Sequence, residues 1–235
     1  MEYVTEGDYE VVSSSLLVEQ RYLKRTGLII LITVLNMTAP LTTDMYLPAV
    51  PTMAKLFNTS ASILNLTLVG FFFFFAIGML FFGPISDKYG RKNVLLIGLF
   101  IYMISSVLCA LSTSIWQLII FRIFEALGAG AMVVISTALI KDSFDGKIRN
   151  VILATVQSMA MFAPILAPVI GAFIVNFASW RVTFWVLAGI SLLCIIATLL
   201  MKEVLEPEVR FQGEIWRSVG RLFLVAKIKY LQVSY

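Results

Sequence analysis

Hydrophobic residues in this sequence are gathered into long blocks, and the charged residues stand between the blocks. No Lys, Arg, Asp or Glu interrupts the stretches 56–86, 93–121, 150–180 and 182–201. Each stretch exceeds the ~18 apolar residues that mark a candidate membrane-spanning helix. The pattern therefore predicts an all-α polytopic membrane protein.

Six spans are predicted, with soft boundaries at residues 27–50, 62–84, 93–111, 115–140, 151–177 and 182–201. Short loops join them at residues 51–61, 85–92, 112–114, 141–150 and 178–181. Residues 1–26 form a polar tail that lacks the basic start of a signal peptide. Residues 202–235 form a second tail, in which apolar residues from Ile215 to Ala226 recur at helical spacing. That spacing predicts an amphipathic helix on the membrane surface or a linker helix.

Lys and Arg are distributed unevenly between the two sides of the predicted bundle. Fifteen of the 18 lie in the two tails and in the loops 85–92 and 141–150. Only Lys55 and Arg181 fall on the other side, and Arg122 lies inside a span. Because cytoplasmic loops are enriched in Lys and Arg, both termini are predicted to be cytoplasmic. The net charge of +4 is thus a topology signal and gives no reason to expect a nucleic-acid partner.

Composition supports the membrane assignment and excludes several other classes. Hydrophobic residues make up 60% of the chain and charged residues 14%, with a mean hydropathy of +0.93. A soluble enzyme, a disordered chain and a nucleic-acid-binding domain are incompatible with these values. Histidine is absent and the two cysteines lie in apolar stretches, so no metal site or nucleophile–base set is predicted. The chain is not expected to be an enzyme.

Three ionisable residues interrupt the spans: Asp44, Arg122 and Glu125. Such residues cost free energy in a membrane and usually face a cavity or a partner. Counting from the helix ends places Asp44 and Arg122 roughly 6–10 Å below the same surface, so they could pair. The alternative is an ion pair between Arg122 and Glu125, three residues apart on one helix, with Asp44 bonded locally.

Prolines and small residues mark two of the spans. Pro40, Pro48 and Pro51 are expected to interrupt the first span, and Pro164 and Pro168 the fifth. Ala163, Ala167 and Gly171 recur every four residues, as do Ala126 and Gly130, a spacing that lets helix backbones approach closely.

The loop between the second and third spans contains Gly83, Asp87, Gly90, Arg91 and Lys92 at the spacing G-x-x-x-D-x-x-G-R-K. This strongly resembles the loop signature of the major facilitator superfamily. The sequences around Asp44, Arg122, Pro164 and Trp180 resemble the drug:proton antiporters of that superfamily, and most of all the Bcr/CflA (bicyclomycin-resistance) group.

The resemblance implies two six-helix bundles, each a 3+3 inverted repeat, around a central cavity for a small-molecule substrate. It implies export driven by the proton gradient, with no cofactor, in a bacterial inner membrane. Asp44 and Arg122 match residues of the cavity and of proton coupling. Gly83, Asp87, Gly90, Arg91 and Lys92 match a conformational latch, and Pro164, Pro168 and Gly171 match the antiporter motif of the fifth helix.

The sequence departs from the family pattern in two ways. Glu125 stands where the family usually has Gln, which adds a second buried carboxylate. The family has about twelve helices, so six spans are interpreted as the N-terminal half, with a second six-helix half as a possible partner. A same-fold transporter of a physiological solute, such as a polyamine, sugar or siderophore, and a non-transporting membrane protein are the alternatives.

Overall fold

The computed structural model describes residue 20, residues 23–205 and residue 210. In this part of the chain the elements are helical: α1 Arg25–Asp44, a 3-10 turn Leu47–Ala49, α2 Val50–Leu56, α3 Ala61–Tyr89, α4 Arg91–Leu111, α5 Ile115–Ser143, α6 Gly146–Ala160, α7 Ala163–Phe177 and α8 Arg181–Leu200. The predicted amphipathic segment from Ile215 to Ala226 and most of the predicted N-terminal tail lie outside the described residues.

The predicted number of spans is confirmed. Six segments are long and apolar enough to cross a membrane: Arg25–Leu56, Ser62–Tyr89, Arg91–Leu111, Ile115–Ser143, Gly146–Phe177 and Arg181–Leu200. The first segment comprises α1, the 3-10 turn and α2, and the fifth comprises α6 and α7. The all-helical fold class is therefore confirmed for the described residues.

Proline explains where the first and fifth spans break. A proline ring clashes with the carbonyl four residues earlier, so a helix tends to end there. Helix α1 ends at Asp44, four residues before Pro48, and α6 ends at Ala160, four residues before Pro164. Pro40 and Pro168, by contrast, lie inside α1 and α7 without ending them, and Pro51 lies in the first turn of α2, which continues to Leu56. The predicted interruptions are thus confirmed at one proline in each span.

The predicted loops 85–92 and 141–150 are wrong in extent. Helix α3 continues to Tyr89 and α4 starts at Arg91, so Gly90, with φ at 94°, is the whole connection. Helix α5 continues to Ser143 and α6 starts at Gly146. The charged residues that marked these loops belong to helical turns that extend past the apolar stretch. Gly90 allows the reversal because a positive φ is strained for other residues.

Helix α5 is the centre of the bundle and packs against α1, α3 and α4. Its small residues permit this packing. A Cβ at Gly128 would lie 2.7 Å from the carbonyl oxygen of Gly98 in α4, and one at Gly130 would lie 2.5 Å from that of Phe75 in α3. The two neighbouring backbones therefore touch α5 on opposite sides. The predicted close approach at Gly130 is confirmed.

Apolar side chains also cover the outside of the bundle. Phe72 and Phe73 of α3 are 57% and 62% exposed, and Val169 and Phe173 of α7 are 66% and 63% exposed. Exposed apolar faces of this size are unfavourable in water and mark contact with lipid or with another protein. The chain is an integral membrane protein with α3 and α7 facing outward.

We expect Gly130→Ala to destabilise the bundle by about 1–3 kcal/mol, because the added methyl meets the backbone of α3 and overpacking costs that much. Gly70→Ala is the matched control, since a Cβ there meets no atom within 4 Å. Unfolding of both purified variants in mixed micelles measures the effect. Equal stability of the two variants would contradict the close packing of α3 on α5.

Candidate functional site

Arg122 of α5 is fully buried at the centre of the bundle. One guanidinium nitrogen, Nη1, lies 3.1 Å from the Glu125 carboxylate and donates to the backbone carbonyl of Thr42 at 3.2 Å. Glu125 is fully buried as well. The pair therefore neutralises itself on one helix and is anchored to α1 through the Thr42 carbonyl.

Three aromatic rings enclose the guanidinium group. Its central carbon lies 4.6 Å from the ring centre of Tyr46, 4.8 Å from that of Phe71 and 5.8 Å from that of Phe184. Within the described structure, Nε and Nη2 of Arg122 have no hydrogen-bond partner. The π faces replace those bonds, since a cation close to an aromatic face is attracted by the ring quadrupole.

The other side of the pair is held by hydroxyl groups. Ser106 of α4 donates to Glu125 at 2.7 Å. Tyr102, one turn earlier on α4, shares a 2.5 Å hydrogen bond with Thr42 of α1. The buried polar groups of α1, α4 and α5 thus form one connected network around Glu125.

Asp44 lies at the last residue of α1, and its side chain is half-buried. It accepts a hydrogen bond from the Thr43 hydroxyl at 3.2 Å. The predicted ion pair between Asp44 and Arg122 is wrong: the salt bridge of Arg122 goes to Glu125, the alternative that the sequence left open. Glu125 is one turn away on the same helix, whereas Asp44 accepts its hydrogen bond from the neighbouring Thr43.

The motif of the fifth span reaches the break in the first. Ala163, Ala167 and Gly171 are buried along one face of α7, whereas Pro164 at its start is exposed and Pro168 is half-buried. A Cβ at Gly171 would collide with the backbone of Met45. Gly171 therefore lets α7 touch the chain directly after Asp44.

The loop signature forms a charged network at the end of the bundle that holds Gly90, which we name the basic end. Arg91 pairs with Asp87, donates to the hydroxyl of Ser86 at 2.6 Å and binds Asp142 of α5 at 2.8 Å. Lys92 donates to the carbonyls of Leu199 and Met201 at 2.8 and 2.6 Å. A Cβ at Gly83 would lie 3.5 Å from the side chain of Val134 in α5, an ordinary contact distance. The signature thus joins α3, α4, α5 and the end of α8.

Glu203 completes this network, and the sequence analysis missed it. Its carboxylate accepts from the backbone N–H groups of Arg91 at 3.0 Å and Lys92 at 3.1 Å, at the start of α4. The first N–H groups of a helix need acceptors, and Gly90 at the N-cap has no side chain to supply one. A glycine before a helix start was the available signal that the first N–H groups of α4 take their acceptor from elsewhere. The roles of Asp142, of Ser106 and of the three rings around Arg122 were missed too, because they depend on tertiary contacts.

Gln20 joins the segment before α1 to the segment after α8, next to Glu203. Its amide nitrogen donates to the Lys202 carbonyl at 3.3 Å, and its amide oxygen accepts from the Lys202 backbone N–H at 2.8 Å. The chain before α1 and the chain after α8 therefore meet at the basic end.

We expect Glu203→Ala to cost about 1 kcal/mol, the usual loss for a helix cap, and to free the start of α4. Lys202→Ala is the control, because the Lys202 side chain is exposed and its contacts with Gln20 use the backbone. Hydrogen exchange at Arg91 and Lys92 should rise in the first variant only. Unchanged exchange there would refute the capping role of Glu203.

We expect Glu125→Leu to destabilise the chain by about 3–5 kcal/mol, because it leaves the Arg122 charge buried and unpaired. The double variant Arg122→Met with Glu125→Leu should be more stable than Glu125→Leu alone. Equilibrium unfolding in mixed micelles measures each step of this cycle. Asp44→Asn is the control and should cost less than about 1 kcal/mol, since it removes no ion pair. Additive single effects would show that the pair is not coupled.

Comparison with known proteins identifies the family. Residues 32–231 match the Major Facilitator Superfamily. An uncharacterized MFS-type transporter, YdgK of Bacillus subtilis, is 37% identical over 199 residues, which cover 83% of this chain and 50% of that protein. A bicyclomycin resistance protein homolog of Haemophilus influenzae is 32% identical over 160 residues, covering 68% of this chain and 40% of that protein.

A solved structure agrees in fold. The proton:xylose symporter XylE superposes with a TM-score of 0.69 at 19% identity, over 80% of this chain and 46% of that one. The chain spans about half the length of the curated relatives it matches. Its helices are those of one half of the fold, and the chain belongs to the Major Facilitator Superfamily, with a bicyclomycin resistance protein homolog among its relatives, as the sequence motifs predicted.

Proposed function

We propose that this chain is the six-helix N-terminal half of a proton-coupled exporter of small drug-like molecules, and that Asp44 carries the proton. One observation carries the proposal. The Asp44 carboxylate lies in the first span, is only half-buried and makes no salt bridge within the described part of the chain. Glu125, by contrast, is fully buried in a salt bridge with Arg122.

A proton carrier has to meet water from each side in turn. Two features support Asp44 in this role: it is half-buried, and it lies at the last residue of α1, just before the 3-10 turn. A change in its surroundings then changes which form of the carboxyl is favoured, since burial favours the neutral form and water the charged form. Glu125 lacks such access, and its charge is committed to Arg122 and to the hydroxyl of Ser106.

Arg122 and α7 connect Asp44 to the rest of the bundle. Arg122 binds the carbonyl of Thr42, two residues before Asp44, and Gly171 of α7 touches Met45, one residue after it. A shift of α5 or α7 therefore moves the backbone on either side of Asp44. This supports a role for Arg122 and Glu125 in setting the geometry, and for Pro164, Pro168 and Gly171 in transmitting helix movement.

Sequence similarity to named relatives supports the proposed substrate class. A relative named for bicyclomycin resistance favours a small drug-like substrate, carried in a cavity between this half and a second six-helix half. The exposed apolar faces of α3 and α7 suit contact with such a second half and with lipid. In this proposal Gly83, Asp87, Gly90, Arg91 and Lys92 act as a latch between the halves.

We propose a bacterial inner membrane as the location, with both termini in the cytoplasm and the proton gradient as the energy source. The orientation is supported by the concentration of Lys and Arg in the tails and at the basic end.

In a full-length protein that carries this half, we expect Asp44→Asn to abolish drug-induced proton release while drug binding is retained, because Asn keeps the shape of the side chain but cannot titrate. Glu125→Gln is the matched comparison and should keep the release. The measurement is the pH change of weakly buffered purified protein on addition of drug. Retained release in Asp44→Asn with loss in Glu125→Gln would move the proton site to α5.

A further inference from the structure

A cavity of about 610 Å³ opens at the end of the bundle remote from the basic end, which we name the opposite end. Residues from α2, α7, the turn before α8 and the start of α8 line it: Pro51, Thr52, Lys55, Leu56, Val175, Ala178, Ser179, Trp180 and Arg181. It therefore lies between the far tips of the first and fifth spans. Neither the proposed proton site nor the loop signature is part of it.

Both basic residues of the opposite end lie in this one cavity. Lys55 and Arg181 are the two Lys or Arg residues of the connecting segments 51–61, 112–114 and 178–181, and these segments contain no Asp or Glu. The local charge is thus positive and has no acidic counterpart nearby in sequence. The positive-inside rule disfavours cations at this end, so their convergence on one cavity needs another reason.

Arg181 is held in position by its neighbours. Its Nη2 donates to the carbonyl of Ser112 at 2.9 Å, and its central guanidinium carbon lies 4.4 Å from the ring centre of Trp180. Trp180 is itself buried and makes edge contacts with Phe57 and Phe184 at 5.7 and 6.0 Å between ring centres. Among the described residues the bond to Ser112 is the one hydrogen bond of this guanidinium group, which has five N–H donors and so retains donors for a ligand.

Lys55 supplies a second cation to the cavity. Its side chain is exposed, and no described acidic residue forms a salt bridge with it. Thr52 and Ser179 also line the cavity, and Leu56, 57% exposed, gives it an apolar rim. An anion with an apolar neighbour, held at a membrane surface, matches this lining.

We propose that the cavity binds a phosphate group through Lys55 and Arg181. Charge-assisted hydrogen bonds from an ammonium and a guanidinium group are strong, and the planar guanidinium suits phosphate oxygens. Two sources share this chemistry: the headgroup of an anionic phospholipid, whose acyl chain would lie along Leu56, and free inorganic phosphate. The site is independent of the proposed transport function.

The test uses the purified chain in detergent, with phosphatidylglycerol, phosphatidylcholine or inorganic phosphate added in separate titrations. Native mass spectrometry and the shift of the unfolding temperature report binding. We expect Lys55→Gln to weaken phosphatidylglycerol binding about tenfold, the value of one charge-assisted hydrogen bond. Lys147→Gln, which removes an exposed cation near the basic end, is the matched control and should bind as the parent does.

The outcomes separate the sources and decide the proposal. Binding of phosphatidylglycerol that depends on Lys55, with no competition by phosphate, supports a lipid headgroup. Competition by phosphate with the same dependence supports a soluble anion. Unchanged binding in Lys55→Gln, or equal weakening in Lys147→Gln, overturns the site. Because the Lys55 side chain is exposed, this variant tests the proposal even if Arg181→Gln, which loses the bond to Ser112, fails to fold.

Discussion

The charge of Arg122 has to be neutralised at the centre of an apolar bundle, and much of the structure is arranged around that requirement. A buried cation without a partner is among the most costly states a protein can hold. Glu125 supplies the opposite charge, and the carbonyl of Thr42 a further acceptor. Tyr46, Phe71 and Phe184 cover the rest of the guanidinium group, so each of four spans contributes to one polar centre.

This centre depends in turn on how closely the helices approach. Gly128 and Gly130, three and five residues after Glu125, let α4 and α3 touch the backbone of α5. Association of helices in lipid has no hydrophobic driving force, so close packing and buried hydrogen bonds have to supply the stability. The glycines and the ion pair of α5 are therefore two parts of one arrangement: the first brings the helices together, and the second fixes their register.

The sequence predicted the number of spans, the proline breaks and the loop signature well, because each is a local property. The charge-free stretches marked the spans, and Pro48 and Pro164 each end a helix four residues earlier. It failed where partners are distant in sequence. The cap that Glu203 places on α4 joins residues more than a hundred positions apart, and the three rings around Arg122 come from three other spans.

The contact between Glu203 and α4 has a mechanical consequence. Gln20 binds the backbone of Lys202, and Glu203 binds the first backbone amides of α4. The polypeptide directly after α8 is therefore attached to the rest of the bundle and is not held by α8 alone. Tension on the residues that follow is then delivered to the start of α4, and from Arg91 to α3 and α5 through Asp87 and Asp142. Force applied to the chain after α8 therefore acts on α3, α4 and α5 together.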